Sequence, residues 1–334
     1  MVTWARLSAE QAEATWDAQL LRFAGHSLYQ SFPWGQYKRA RGWNPHYFQA
    51  IANGTVAGML QALVRAYPLG AAVVWCPGGP VGALELCSRQ SMRQLTSLLR
   101  ARAVYCRSSF FRAKTAEEGR YLESNGWSRP VRTLGANVTA VWNLNQSEDQ
   151  LLAGLNRNWR YSLRQAQKSD LRVEQLVDPP IDELAALCRA MNASKGVPAP
   201  VRNSEIAALF EALEHRIFVY GCRNPRGELV AFHSCGIHGQ RAWELLAATS
   251  PEGRRTGASF AALWTLVQHC RRLNVTHYDL AGIDPANAPG VADFKRWTGA
   301  EEVEWLGEWQ WSTFAAFRHV IDLVARNRST AALP

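Results

Sequence analysis

The stretch HYFQAIANGTVAGMLQALV, residues 46–64, has a degenerate counterpart in RIFVYGCRNPRGELVAFHSCGIH, residues 216–238. Each copy contains two runs rich in β-branched and aromatic residues, separated by a turn in which Gly54 matches Gly227. Runs of this composition on either side of a glycine turn predict a β-hairpin. The offset of about 170 residues between the copies indicates an internal duplication.

The segments that follow the two hairpins also match. In the first half, a helical stretch at residues 95–102 precedes the strand AVYCRSSF and the helix TAEEGRYLESNGW. In the second half, a helical stretch at residues 261–273 precedes the strand THYDLAGI and a helix that ends in FKRWTGA. A helix that crosses between strands requires a mixed sheet, so we expect an α/β fold with helices on the sheet faces. Two ordinary α/β domains without common ancestry remain the alternative.

Length and composition favour two folded domains. The chain has 334 residues, of which 47% are hydrophobic and 19% charged. It begins without a basic segment followed by an apolar run, and it has no uncharged apolar stretch of about 18 residues, so we expect neither a secretory signal nor a transmembrane helix. Seven scattered cysteines without a Cys-x-x-Cys pair predict reduced, mostly buried thiols in a cytoplasmic protein.

The chain is strongly basic, with a formal net charge of +9 and a pI near 9.4. A basic surface favours a polyanionic partner such as nucleic acid, a phosphorylated small molecule or an anionic membrane face. Charge alone does not separate these partners from a basic protein that binds none of them.

One helix, predicted over residues 147–170, concentrates positive charge. Arg157, Arg160, Arg164 and Lys168 are spaced three or four residues apart, so they share one face of the helix. That face is either simply solvated or directed at phosphates, as Arg160 and Arg164 would be in a tRNA-binding surface.

A second candidate anion site is the stretch SPEGRRTGASFAALW. Backbone amides at a helix start, together with Arg254 and Arg255, would cradle a phosphate. The acetyl-CoA-binding loop of the GNAT acyltransferases is similar in position and composition. The alternative is that Gly253 and Gly257 only shape a turn between a strand and a helix.

The sequence gives little support to a metal site or to hydrolase chemistry. On a strand, His233 and Cys235 face one way and His238 the other, so three ligands on one ion would require a sharp bend. We therefore expect no metal site. The sequence has no Ser-His-Asp spacing, P-loop or His-Glu-x-x-His motif.

Three segments carry a resemblance to a known family. SFPWGQYKRARGW (residues 31–43), LNRNWRYSLRQAQKSDLRV (155–173) and YDLAGIDPANAPGVADFKRWTGA (278–300) occur in the order and spacing of the FemABX family. The chain resembles these non-ribosomal peptidyltransferases, which use aminoacyl-tRNA, over nearly its whole length. The last segment is the most specific, because a strand, a Gly-Ile-Asp-Pro loop and a Phe-Lys helix occur together.

The resemblance implies a fold of two GNAT-like domains in tandem, each a mixed, mostly antiparallel sheet flanked by helices. We expect the first domain at residues 1–138 and the second at 139–307, with a C-terminal helix in residues 308–334 that packs back on the first. The second domain has no heptad run, so the chain is similar to the short members that lack a coiled-coil arm.

The same resemblance implies transfer of an amino acid from its tRNA ester to a free amine. The acceptor would be a peptidoglycan precursor or a peptide natural product, and aminoacyl-tRNA would be a co-substrate, with no further cofactor. Aminolysis of an activated ester needs positioning and stabilisation of a negative oxygen rather than a covalent nucleophile.

The implied catalytic pair is Phe294–Lys295. Lys295 matches the family lysine, and a compact ammonium suits a developing oxyanion or the tRNA 3′ end. The alternative is a surface lysine at the end of a helix. Asp279 and Asp284 lie at loop ends near this pair, where either would accept a proton from the incoming ammonium or merely shape the turn.

Further residues match acceptor-binding positions. Lys38 corresponds to the family lysine that meets the acceptor phosphates, and Arg202 corresponds more loosely to an arginine with the same role. Trp34 and Tyr37 flank Lys38 and would stack on a base or sugar, or else pack in the core. Ile206 replaces an aromatic residue of the family pattern, which leaves the acceptor open.

Two other functions remain possible from the sequence. An acyl-CoA-dependent GNAT N-acyltransferase is favoured by the stretch at residues 254–259. A catalytically silent protein that binds nucleic acid or a cell-wall precursor is favoured by the basic charge alone.

Overall fold

A computed structural model describes residues 2–194 and 201–327 of the chain, with side chains described up to residue 323. The chain divides into two compact units, Met1–Asn137 with Glu304–Pro334 and Val138–Val303. The second boundary falls inside the last strand of the chain, four residues before the boundary expected at residue 307.

The strands and helices follow one another along the chain. The first are β1 (Thr3–Leu7), α1 (Ala9–Leu20), α2 (Phe32–Arg39), β2 (Asn44–Ala52), β3 (Thr55–Tyr67), β4 (Ala71–Pro77), β5 (Val81–Gly82), α3 (Arg89–Leu98), β6 (Ala103–Ala113) and α4 (Ala116–Ser124). The remainder are β7 (Val138–Asn143), α5 (Glu148–Gly154), α6 (Arg157–Lys168), β8 (Arg172–Gln175), α7 (Ile181–Ser194), α8 (Asn203–Leu213), β9 (Ile217–Arg223), β10 (Leu229–His238), β11 (Arg241–Thr249), α9 (Pro251–Thr256), α10 (Ala258–Arg272), β12 (His277–Gly282), α11 (Pro289–Arg296), β13 (Glu301–Ser312) and α12 (Ala315–Asn327). Short 3₁₀ turns occupy Leu28–Gln30, Pro68–Gly70, Leu84–Cys87 and Glu214–Arg216.

The first unit is a mixed sheet with strand order β1-β2-β3-β4-β6-β13, and β5 pairs with β3. Neighbouring strands are antiparallel except for β4 and β6, which are parallel and are connected through α3. Their ladder contains seven residue pairs, from Ala71 opposite Ala103 to Pro77 opposite Ser109. The core beneath it includes Phe48, and Trp309 of the returning strand β13.

The second unit repeats this arrangement with strand order β7-β12-β11-β10-β9-β8. Again one neighbouring pair, β11 and β12, is parallel, and here α9 and α10 make the connection. Its ladder contains only three residue pairs and ends where Trp243 faces Asp279. Beyond that point β11 continues to Thr249 while the pairing of β12 with β7 shifts register, so the two parallel strands separate.

The two predicted hairpins are present as β2–β3 and β9–β10. Gly54 and Gly227 both have positive φ values, 75° and 81°, which glycine adopts without the steric cost that other residues incur. The matching hairpin, crossover helix and parallel strand in each unit confirm the predicted α/β architecture with mostly antiparallel sheets.

One local prediction was wrong. The single basic helix over residues 147–170 is two helices, because Leu155 is extended and Asn156 caps α6 through the amide of Asn158. The glycine-containing stretch after β11 includes a short helix: Ser250 caps α9, Pro251 occupies its start, and Gly257 ends it in a left-handed conformation.

The seven cysteines are buried and none forms a disulfide. Within residues 2–194 and 201–327, no helix is long and apolar enough to cross a bilayer.

Candidate active site

The separation of β11 and β12 defines a candidate site in the second unit. In the first unit the equivalent parallel strands stay paired over seven positions, whereas here they part after three. Several polar and aromatic side chains gather around the point of separation.

Lys295 lies at the end of β12. Its Nζ donates a hydrogen bond to the carbonyl oxygen of Gly282, the last residue of that strand, over 2.8 Å. The side chain is partly exposed, as a group that meets a substrate must be. Helix α11 begins at Pro289 and carries both Phe294 and Lys295.

Of the two candidate carboxylates, Asp279 is the better suited to act as a general base. It is largely buried, and this burial raises its pKa above the usual range, against hydrogen bonds from Thr139 and from the amide of Ala281 and against the charge of Lys295. The raised pKa makes Asp279 a better proton acceptor than an exposed aspartate. The expected proximity of Asp279 to Lys295 is thus present in the structure.

Asp284 has a different environment. It is fully exposed, and its carboxylate accepts hydrogen bonds from the amide and the side chain of Asn287, which lower its pKa. Its carbonyl oxygen also accepts from the amide of Ala288. These contacts organise the loop before α11, so the structure gives Asp284 a turn-shaping role.

A buried relay that the sequence analysis missed lies beside Phe294. His233 Nδ1 is 2.5 Å from Glu244 Oε1, and His233 Nε2 is 2.8 Å from Ser259 Oγ. The Phe294 ring lies nearly parallel to the imidazole, at an interplanar angle of 13° and 5.9 Å between centroids. The three polar residues come from β10, β11 and α10, so no sequence spacing connects them; the available signal was a histidine within a mostly apolar strand.

Aromatic rings form an apolar wall next to this relay. Phe294 packs on Phe260 at 4.9 Å between centroids, and Phe260 packs on Trp159 at 5.1 Å. Trp264 lies 6.3 Å from Trp159. Phe294 is therefore a packing residue that fixes the position of its neighbour Lys295 as well as one wall of the site.

The cations proposed to meet tRNA have unlike environments. Arg164, Arg254 and Arg255 are exposed. Arg160 instead donates to the carbonyl oxygens of Leu152, Ala153 and Leu155 at 3.4, 2.9 and 2.9 Å, so it satisfies the end of α5.

The exposed cations lie on elements that touch one another. A Cβ on Gly257 would lie 2.7 Å from the carbonyl oxygen of Ser162, so α6 packs directly against the start of α10. Arg164 is on α6, and Arg254 and Arg255 are on α9, the helix that directly precedes α10.

The expected phosphate cradle is not an open loop. The amide of Gly253 donates to Ser250 Oγ, that of Arg254 to Ser250 O, and that of Gly257 to Gly253 O. These three amides are thus used within α9 and its caps, whereas the amides of Ala258 and Ser259, the first two residues of α10, have no acceptor within that helix.

In the first unit, Lys38 is enclosed by aromatic rings. Its Nζ lies 4.7 Å from the Trp75 ring centroid, 5.0 Å from Tyr37 and 5.3 Å from Trp34. Ser31 caps α2 through the Trp34 amide, and this short helix carries Trp34, Tyr37 and Lys38. Trp34 and Tyr37 are buried, and their rings contact Lys38 rather than lying open for a base.

The indole nitrogens around Lys38 are also notable. Nε1 of Trp34 and Nε1 of Trp75 are buried, and neither has a hydrogen-bond partner in the part of the chain that the structure describes. Donors without acceptors beside a buried ammonium are typical of a place that receives an anionic or polar group.

The remaining sequence candidates lie elsewhere in the second unit. Arg202 is exposed at the residue before α8, and Ile206 is buried in that helix. His233, Cys235 and His238 have separate neighbours: Cys235 Sγ is 3.6 Å from Cys270 Sγ, and His238 contacts Arg216. Across the described residues, no group of three or more His, Cys, Asp or Glu could hold a metal ion.

Comparison with known proteins identifies the fold. Residues 154–296 match the family model described as Acetyltransferase (GNAT) domain. The structure titled FemX superposes with a TM-score of 0.80 at 15% identity, covering 96% of this chain and 99% of that one. No curated protein sequence matches significantly.

Two further structures have the same architecture. A tandem GNAT protein from the clavulanic acid biosynthesis pathway has a TM-score of 0.57 at 12% identity, covering 93% of this chain and 98% of that one. L-PGS from Bacillus licheniformis has a TM-score of 0.52 at 12% identity, covering 97% and 98%. The chain thus consists of two tandem GNAT-like units, as predicted, and its domain match supports an acyltransferase.

Proposed function

We propose that the protein transfers an amino acid from aminoacyl-tRNA to an amine of a peptide acceptor, as a short member of the FemABX family. The observation that carries the proposal is Lys295, held on the carbonyl oxygen of Gly282 where β12 separates from β11. The likeness to FemX over 96% of the chain supports it.

The proposed chemistry is ester aminolysis. The amine attacks the ester carbonyl carbon, the carbonyl oxygen becomes negative, and the ribose oxygen leaves. Lys295 would stabilise that oxygen or the tRNA 3′ end by its charge. Asp279, with its raised pKa, would accept the proton that the amine releases.

The exposed cations around α9 are suited to RNA as the donor. The amides of Gly253, Arg254 and Gly257 are used within α9 and its caps, whereas those of Ala258 and Ser259 have no acceptor within α10 and would also suit the pyrophosphate of a CoA ester. The exposed side chains of Arg164, Arg254 and Arg255 are instead suited to a phosphate backbone, which needs cations but no preformed loop.

The first unit offers a site for the acceptor. The buried ammonium of Lys38, beside two indole N–H groups without acceptors, would receive a phosphate of a nucleotide-linked precursor. Arg202 is the second candidate for such a contact. A peptidoglycan precursor and a peptide natural product both remain acceptor candidates.

Several accompanying assignments belong to this proposal. Aminoacyl-tRNA would be a co-substrate with no added cofactor, and the reaction would take place in the cytoplasm, where charged tRNA is made. We assign the first GNAT-like domain to residues 1–138 with the C-terminal helix of 308–334, and the second to 139–307.

A second candidate is an acyl-CoA-dependent N-acyltransferase. It is favoured by the match of residues 154–296 to a GNAT acetyltransferase domain. It differs from the first candidate in the donor, while the amine acceptor and the role of Lys295 would be similar.

One experiment separates the two. The protein is incubated with charged tRNA, and separately with acyl-CoA, each with a panel of amines that includes UDP-linked peptidoglycan precursors. Products are identified by mass. We expect an RNase-sensitive product that contains the amino acid; an acyl-CoA product without a tRNA product would overturn the first candidate, and no product with either donor would favour a binding protein.

A further inference from the structure

A serine, a histidine and a glutamate are aligned in the order of a nucleophile relay. Ser259 Oγ is 2.8 Å from His233 Nε2, and the other imidazole nitrogen is 2.5 Å from Glu244 Oε1. We propose that this relay makes Ser259 a nucleophile that accepts an acyl group from an activated ester. The reaction class is serine acylation, with His233 as the base and Glu244 as the carboxylate that orients it.

A nucleophile must be more accessible than its base, and Ser259 is more exposed than His233 and Glu244. Ser259 is partly exposed, whereas the side chains of His233 and Glu244 are only 5% and 9% exposed. Ser259 is therefore the least buried of the three residues, and the base and its carboxylate are more deeply enclosed.

The carboxylate fixes the histidine tautomer. With Glu244 accepting from Nδ1–H, Nε2 carries the lone pair and accepts from the Ser259 hydroxyl. Phe294 lies almost parallel against the imidazole and limits its rotation. Both features hold the base in the orientation needed to remove a proton from Ser259.

Backbone amides at the start of α10 can donate hydrogen bonds to the negative oxygen that forms when Ser259 attacks the ester. Ala258 and Ser259 are its first two residues, so their amides have no acceptor within that helix. The amides of Phe260 and Ala261 donate to Gly257 O. The amides of Ala258 and Ser259 are thus placed next to the Ser259 hydroxyl, as donors to a negative oxygen on the attacked carbon.

The step balances without a further reactant. Ser259 Oγ bonds to the ester carbonyl carbon while its proton passes to His233 Nε2. The carbon–oxygen bond to the leaving alcohol then breaks, and that oxygen takes the proton from His233, which leaves an acyl-serine. An amine or water next attacks the acyl carbon, and Oγ recovers a proton through His233, giving an amide or an acid.

Ester and phosphonylating probes test the nucleophile without tRNA or acceptor. The full chain is treated with a fluorophosphonate, and separately with p-nitrophenyl acetate, and adducts are located by intact mass and peptide mapping. We expect one fluorophosphonate adduct, on Ser259, that is absent in Ser259→Ala and unaffected in Ser162→Ala, a partly buried serine of α6. Glu244→Gln should slow labelling by about tenfold or more, because the tautomer and the imidazolium lose their carboxylate.

Two outcomes would overturn the proposal. One is a folded wild-type protein, by circular dichroism, that gives no adduct on Ser259; the other is Glu244→Gln labelling at the wild-type rate. If Ser259→Ala fails to fold, Ser259→Cys gives the same decision: its alkylation by iodoacetamide should be faster than when it is combined with Glu244→Gln, and equal rates would exclude the relay.

As an intermediate in aminoacyl transfer, the acyl-serine rests on the proposed donor and acceptor and would replace the direct attack of the amine on the ester by two steps. Its failure is distinguishable from that of the proposed function. Ser259 labelling without transfer from charged tRNA would support the relay and contradict the donor. Full transfer by Ser259→Ala would support the donor and exclude the acyl-serine from that reaction.

Discussion

Lys295 Nζ is hydrogen bonded to the carbonyl oxygen of Gly282 over 2.8 Å, which fixes the ammonium at the point where the parallel strands of the second unit separate. A cation held in this way is positioned before the substrate arrives, so little reorganisation is needed when charge develops. This contact links the most specific sequence segment to the geometry of the site.

Replacing Lys295 with alanine should lower turnover with charged tRNA about 10²–10³-fold, the range observed for removal of one oxyanion-stabilising donor. Lys114→Ala is the control, because Lys114 is an exposed lysine that pairs with Glu304. Initial rates at saturating donor are the measurement. A Lys295→Ala protein that retains wild-type turnover would remove the residue from the mechanism.

Asp279 should make stability depend on pH. Burial raises its pKa in the folded state, so its contribution to stability is present in full below the unfolded pKa of about 4 and is lost as pH rises through the folded pKa. Asp279→Asn keeps an oxygen acceptor for Thr139 and Ala281 but cannot ionise. The unfolding free energy of this variant, relative to wild type, should therefore increase as pH rises from the unfolded pKa of about 4 through the raised folded pKa.

Urea unfolding at several pH values measures this difference. Asp284→Asn, at an exposed carboxylate with a lowered pKa, should show no such increase. A pH-independent difference between Asp279→Asn and wild type would contradict the assigned burial.

Transfer by Asp279→Asn should fall if the carboxylate is the proton acceptor.

Arginine substitutions should separate RNA contact from helix capping. Arg164→Ala and Arg255→Ala should each weaken tRNA binding and reduce the slope of log K against log salt by about 1. Arg160→Ala should instead destabilise the fold by about 1 kcal/mol, because three carbonyl oxygens at the end of α5 lose their donor. Binding titrations at several salt concentrations and thermal unfolding check both; equal salt slopes for all proteins would exclude the proposed surface.

Lys38→Met should raise KM for a phosphate-bearing acceptor by about tenfold or more and leave kcat nearly unchanged, because the charge is removed while the aromatic enclosure remains filled. Arg39→Ala, at the exposed neighbouring cation, is the control. Steady-state kinetics with acceptors that carry and lack the phosphates make the test. The same rise in KM for both acceptors would argue against a phosphate contact.

Gly257→Ala should destabilise the protein by about 3 kcal/mol. The residue has φ of 73°, and an added Cβ would lie 2.7 Å from the carbonyl oxygen of Ser162. Gly227→Ala is the matched control, because Gly227 also has positive φ, 81°, but nothing lies within 4 Å of the added atom. For Gly227→Ala we expect a loss of about 1 kcal/mol in unfolding free energy. Equal losses for the two variants, measured by chemical unfolding, would mean that α6 does not pack tightly against Gly257.

The sequence alone determined the repeated hairpins and the α/β architecture, because strand composition and glycine turns are local signals. It also singled out Lys295 and Asp279, since both belong to one continuous segment. It missed the break at Asn156 and the helix after Ser250, where a single capping side chain ends or begins a helix against the surrounding pattern.

Only the tertiary structure decided which polar groups meet. His233, Glu244 and Ser259 come from three separate elements, and their hydrogen bonds depend on strand register and on the approach of α10 to the sheet. Arg160 looked equivalent to Arg164 on a helical face, yet the end of α5 engages only Arg160. Such pairings are set by long-range packing, whereas sequence periodicity reports only which residues share a face.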